Sequence, residues 1–264
     1  MNPPTGFPRR RANGSLLVAY IDTSDGHDAL HLGIALARER QVNLKIVSVI
    51  PPVSPQGFGV QTQDPGYNAI VREQTEQRLA SALNSLPADI SATWHVVEGT
   101  EPALALNDVA QKLECDLIVV GARSGGLLNR FRIGTVPSSL LYTAQTPVAL
   151  APQDYSYPGP ITSISALVGP RLGRSDVAAI GLDRANRREI PLRIITLKIS
   201  GEDAGHGFEL PLSEAIEEAV SKGQASRITT SGSSVQSALR NLSWEEGEVA
   251  VLGSARIAGD GRLF

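Results

Sequence analysis

Short apolar runs alternate with stretches of helical periodicity along this chain, and the alternation runs through twice. In the first half, Ser15–Ile21, Leu44–Ile50, Ala92–Val97, Asp116–Val120 and Val148–Ala151 read as strands. Between them Leu30, Ile34 and Ala37, then Leu79, Leu83 and Leu86, then Ala103, Leu106, Val109 and Leu113 recur at helical spacing. A polar loop with Pro55, Gly57, Gly59, Pro65 and Gly66 precedes the second of these helices, and a short helix is expected around Ser138–Tyr142. Strands separated by helices need crossover connections, which dictates a parallel sheet with helices on both faces. The stretch 153–160, with Tyr155, Tyr157, Pro158, Gly159 and Pro160, reads as a linker. The pattern then restarts with strands Ile161–Val168, Leu192–Ile199, Ser226–Thr230 and Val249–Leu252. Val177, Ile180 and Ala185, then Leu212, Ile216 and Ala219, then Val235, Leu239 and Leu242 mark the helices. The expected fold is α/β: two tandem doubly wound domains with parallel sheets of five-stranded type, over residues 15–152 and 161–264. The second is expected to lack its last strand, and residues 1–14, with Pro3, Pro4, Gly6 and Pro8, are expected to form a flexible tail.

Composition narrows the function classes. A net charge of −3 from 24 basic and 27 acidic residues argues against a dedicated nucleic-acid binder. No run approaches the ~18 apolar residues that span a bilayer. Arg9, Arg10 and Arg11 imitate the start of a signal peptide, but the apolar stretch after them is short and ends at Asp22. The single cysteine, Cys115, excludes an intramolecular disulfide, fits a reducing compartment and reads as a buried small hydrophobe. A cytoplasmic location is expected. His27 and His31 have the spacing of a helical metal pair, but no third ligand accompanies them, and an exposed helix face is the stronger reading.

The chemistry concentrates in residues 117–136. An apolar strand runs into Gly121; a loop with Arg123, Arg130 and Arg132 follows, then Gly134-Thr135 and a segment able to start a helix. Glycines let backbone N–H groups approach a ligand, and a helix N-terminus offers unpaired N–H groups and a favourable dipole, a combination suited to phosphate. Arg123 is the arginine expected to pair with phosphate oxygens. Ligands of open parallel sheets bind beyond the carboxyl ends of strands, where Asp22, Val49 and Gly121 all fall. Asp22 also suits an N-cap of the next helix. Neither a Gly-x-x-x-x-Gly-Lys-Ser/Thr loop nor a Gly-x-Gly-x-x-Gly fingerprint occurs, the acidic cluster of a phospho-acceptor domain is missing, and no nucleophile–base pair is placed by spacing. The residues do not support catalysis.

These stretches resemble the universal stress protein family in its tandem-domain form. The carrying residues are Leu17-Val18-Ala19-Tyr20-Ile21-Asp22, Val47-Ser48-Val49-Ile50-Pro51, Glu98-Gly99-Thr100-Glu101-Pro102-Ala103, and Cys115–Gly121 with its loop. The resemblance implies a Gly-x-x-Gly, nine residues, Gly-Ser/Thr pattern. Gly121 takes its first glycine, Gly134 its third and Thr135 its hydroxyl place, while Ser124 stands at the second glycine. It further implies that Asp22 contacts the adenosine part of a ligand, with Tyr20, Ile21 and Thr23 beside it, that Val49 lies by the adenine, and that Val120 and Val136 flank the phosphate loop. The implied ligand is ATP or another adenine nucleotide, with Mg as accompanying ion. A homodimer and a further protein partner are expected, with no nucleic acid and no membrane. Two alternatives remain open: a non-binding dimerising scaffold, and a slow nucleotide hydrolase with Asp22 or Thr135 near the phosphates. In the second half the position equivalent to Asp22 falls at Val168-Gly169-Pro170, without a carboxylate, although Gly253 repeats Gly121.

Overall fold

A computed structural model describes residues 14–52, 65–122, 134–156, 159–169, 176–200, 213–233 and 235–252. They belong to two compact units, one within Pro8–Pro158 and one from Gly159 onward. In the first, the order is β1 (Ser15–Ala19), α1 (Ser24–Arg40), β2 (Asn43–Ile50), α2 (Pro65–Asn84), β3 (Ala92–Glu98), α3 (Pro102–Lys112), β4 (Cys115–Gly121), α4 (Thr135–Thr143) and β5 (Val148–Ala151). All pairings are parallel, in the order β3-β2-β1-β4-β5. The central strand β1 is buried on both faces, which is why Leu16, Leu17 and Val18 form an unbroken apolar run. Leu17 joins Val47, Leu106, Ile118, Val120 and Leu140 in the core under α3 and α4. Val18 points to the other face, against Gly33 of α1.

Several boundaries differ from the sequence reading. Strand β1 stops at Ala19, not Ile21; the Tyr20 N–H still donates to Val47 O at 2.8 Å, but the chain then turns and leaves Ile21 58% exposed. Helix α2 begins at Pro65 instead of leaving Pro65 and Gly66 in a loop, because a proline at the first helical position gives up an N–H that has no helical partner anyway. Helix α4 starts at Thr135, directly after Gly134 in extended conformation.

The second unit runs β6 (Ser163–Val168), α5 (Asp176–Arg188), β7 (Leu192–Ile199), α6 (Glu214–Ser221), β8 (Ala225–Gly232), α7 (Val235–Arg240) and β9 (Glu248–Leu252). Its sheet is parallel with four strands among the described residues, in the order β8-β7-β6-β9, repeating β3-β2-β1-β4 of the first. One apolar cluster packs α5 and α6 on the sheet, and a second packs Ala238 and Leu239 on Leu167, Ile195 and Leu197. Leu242, expected within α7, lies beyond its end but still packs on that second cluster. A buried polar layer ties three strands together near the amino ends of β6 and β9. Arg193 of β7 donates to both Glu248 oxygens at 2.7 and 2.8 Å, and Ser165 of β6 donates to Oε1 of the same carboxylate.

Candidate functional site

The chain builds β1, β2 and β3 outward to one side, then returns to place β4 on the other side of β1. Strand order reverses there, and the carboxyl ends of β1 and β4 open the crevice that such sheets use for ligands. Two glycines shape it. A Cβ on Gly121 would overlap the Asp25 carbonyl in the first turn of α1, and one on Gly26 would overlap the Ile21 carbonyl. Backbone can touch backbone at these points only without side chains, so α1 sits directly on the strand ends. Gly121 therefore has a packing duty at the strand-to-helix turn beside the close approach to a ligand expected of it.

Thr23 is the N-cap of α1: its φ and ψ are −142° and 166°, and its Oγ1 accepts the Gly26 N–H at 3.4 Å. The capping duty considered for Asp22 thus belongs to its neighbour, and the Asp22 carboxylate faces other groups. His27 Nε2 lies 3.2 Å from its Oδ1, and the Tyr20 hydroxyl donates to the same oxygen at 3.5 Å. Arg78 Nε of α2 stands 4.0 Å from Oδ2. Tyr20 is buried, and its ring meets that of His27 edge-on, with centroids 5.6 Å apart. Burial, then the Asp22 charge, push the Tyr20 phenol above its usual pKa and keep it a donor at neutral pH.

Val49, Val120 and Val136 lie on the α3–α4 side of the sheet in a single apolar cluster. Gly134 precedes α4 with φ −68° and ψ 171° and, having no side chain, cannot itself cap that helix; Thr135 beside it is exposed. Tyr20, Ile21, Asp22, Thr23 and Gly121 thus gather at the β1 and β4 ends, with the three valines on the α3–α4 face. Arg123 and Ser124, like Arg130 and Arg132, lie outside the described residues.

His27 and His31 have different neighbours. His27 faces Asp22, whereas His31 Nδ1 lies 3.0 Å from the Tyr155 carbonyl. Beside it the buried Asp28 accepts the Asp154 N–H at 3.0 Å, so the start of the stretch read as linker is fastened to α1. Among the described residues no group of three His, Cys, Asp or Glu side chains is placed to hold a metal. Arg78 escaped the sequence reading because nothing local links it to Asp22, 56 positions earlier. A recess of about 270 Å³ lined by Gln111, Cys115, Gln145, Thr146 and Pro147 opens at the opposite, amino end of β4 and β5. Burial there pushes the Cys115 thiol up to about 11, which leaves it unreactive at neutral pH.

The model of the universal stress protein family matches residues 13–152, more than half of the chain. The chain belongs to the universal stress protein family. A universal stress protein of Mycobacterium tuberculosis is 24% identical over 271 residues, covering 95% of this chain and 92% of that protein. One of Synechocystis is 27% identical over 151 residues, 52% of this chain and 96% of that protein. Among solved structures, a universal stress protein from Archaeoglobus fulgidus shares the fold at 15% identity, with a TM-score of 0.59 over 83% of this chain and 77% of that one. Within this universal stress protein the two sheets differ at their switch points. Where β1 leads into Asp22, β6 leads from Val168 into Gly169.

Proposed function

We propose that this universal stress protein binds an adenine nucleotide, ATP or a close relative, at the carboxyl ends of β1 and β4, and acts in the cytoplasm through a protein partner. The observation that carries the reading is Asp22: released from capping by Thr23, it stands exposed at the switch point, in the turn leading to the helix that packs on Gly121. A carboxylate there suits the hydroxyl and amine donors of adenosine. Val49, with Ile21 and Tyr20, would border the base. Gly134, Thr135 and Val136 at the start of α4, together with Val120, Arg123 and Ser124, would surround the phosphates, where the helix terminus favours negative charge. Mg would accompany a triphosphate. On this reading residues 15–152 form the nucleotide module, 153–160 join it to the rest, and 161–264 serve as a partner domain without a site of their own. The lone buried thiol fits a reducing compartment.

The test is the mass of any small molecule released on denaturing purified protein, followed by calorimetry with ATP on wild type and Thr135→Ala. Retained or titrated nucleotide, weakened by the substitution, supports the reading. A second reading, a dimerising scaffold without ligand, is favoured by Ser124 at the second glycine position of the family pattern. It predicts no retained nucleotide and no heat. Phosphate release above a buffer control would point instead to slow hydrolysis.

A further inference from the structure

The two oxygens of Asp22 have different surroundings. Oδ1 meets His27 Nε2 at 3.2 Å and the Tyr20 hydroxyl at 3.5 Å. Oδ2 has Arg78 Nε at 4.0 Å, beyond hydrogen-bond reach. An aspartate that is 47% exposed would ordinarily sample several rotamers. Here two donors converge on one oxygen; Tyr20 is restrained by burial, and the half-exposed His27 is seated against it through the edge-on ring contact. Tyr20 is buried with 3% exposure, and its ring stands at 85° to that of His27. His27 projects from the first turn of α1, which Thr23 caps and Gly121 allows to sit on the strand ends.

We infer that His27 is a positioning residue for Asp22: with Tyr20 it holds Oδ1, and so presents Oδ2 as a fixed acceptor to the donor groups of a nucleoside. The inference rests on the nucleotide reading of this crevice. A carboxylate fixed in advance loses less conformational freedom when the ligand arrives, and that saving appears as affinity. Arg78 keeps positive charge near the same oxygen without occupying it.

A double-mutant cycle read by calorimetry with ATP tests this. His27→Ala is expected to weaken binding by about 2- to 150-fold, the span of couplings between residues in contact. His27→Gln, whose amide N–H can still donate, is expected to recover most of the loss. In an Asp22→Ala background His27→Ala should change affinity no further, because the oxygen it positions is gone. A merely structural histidine would lower the melting temperature and leave the two substitutions additive. Additive effects, or unchanged or tighter binding by His27→Ala, overturn the positioning role while the nucleotide reading stands. Wild-type protein that binds no ATP overturns the nucleotide reading, and this inference with it.

Discussion

Asp22 and Thr23 are adjacent and both able to cap, with aspartate the better of the two by preference, so it is geometry that gives the duty to Thr23. With Thr23 as the cap, Asp22→Ala is expected to leave the melting temperature nearly unchanged and to cost about 1.5–3 kcal/mol of ATP affinity, the range for hydrogen bonds to a charged group. Thr23→Ala should do the reverse, removing about 1 kcal/mol of stability. Parallel thermal melts and titrations of the two variants check the assignment; a stability loss in Asp22→Ala would return the capping duty to that residue. Gly121→Val is expected to disrupt the first unit as well as any ligand contact, because its side chain would enter the backbone of Asp25. Asp28 adds a pH dependence. Burial raises its pKa above the ordinary value, only partly offset by the Asp154 and Tyr155 amides. Between the unfolded and folded pKa values the folded state therefore holds a proton that the unfolded state has already lost. Its stabilising contribution is complete below the unfolded pKa and declines as pH rises through the folded one. Asp28→Asn, which keeps an acceptor but does not titrate, should flatten that decline; urea unfolding of both proteins from about pH 4 to 7 measures it, and parallel curves would refute it.

At the scale of elements, the sequence was readable wherever local pattern and tertiary role agree. Leu16–Val18 of β1 and Leu117–Val120 of β4 are unbroken apolar runs because both faces are covered, so they mark the parallel sheet directly. The reading failed where two local rules compete. Pro65-Gly66 has loop chemistry, yet proline also suits a first helical turn, and the turn prevailed. Of the candidate site, Gly121, Gly134-Thr135 and Asp22 were legible as strand and helix ends, whereas Arg78 becomes a neighbour of Asp22 only once α2 packs on the sheet. The Glu248 layer was equally hidden: a glutamate opening a strand reads as a surface charge, but its side chain is 1% exposed and its partner Arg193 14%. Removing one member of a buried pair strands the other without compensation. Glu248→Ala is therefore expected to cost about 3–5 kcal/mol, far more than an exposed ion pair would. Urea unfolding reported by Trp244 in the second unit measures it, and a loss under about 1 kcal/mol would mean that water reaches Arg193 easily.

At the scale of the whole molecule, the first sheet ends in two unlike edges. β3 carries His95 and Glu98, and Arg72 donates to Glu98 at 2.6 Å, so charged and polar groups guard that side. β5 is Val-Ala-Leu-Ala, with no charge and no proline inside it. Unpaired N–H and C=O groups on an apolar edge strand invite pairing with another strand, and proteins usually cover such edges. We therefore expect two chains to associate through β5, in an isologous contact about a two-fold axis, the commonest arrangement of soluble homodimers. Light scattering at micromolar concentration should then give about twice the chain mass of 28.0 kDa. Ala149→Lys places a charge on this half-exposed strand and should shift the population toward single chains while the fold, followed by circular dichroism, persists. Wild-type protein running as a single chain under these conditions would refute the dimer. A dimer insensitive to Ala149→Lys would move the contact away from β5 to another surface.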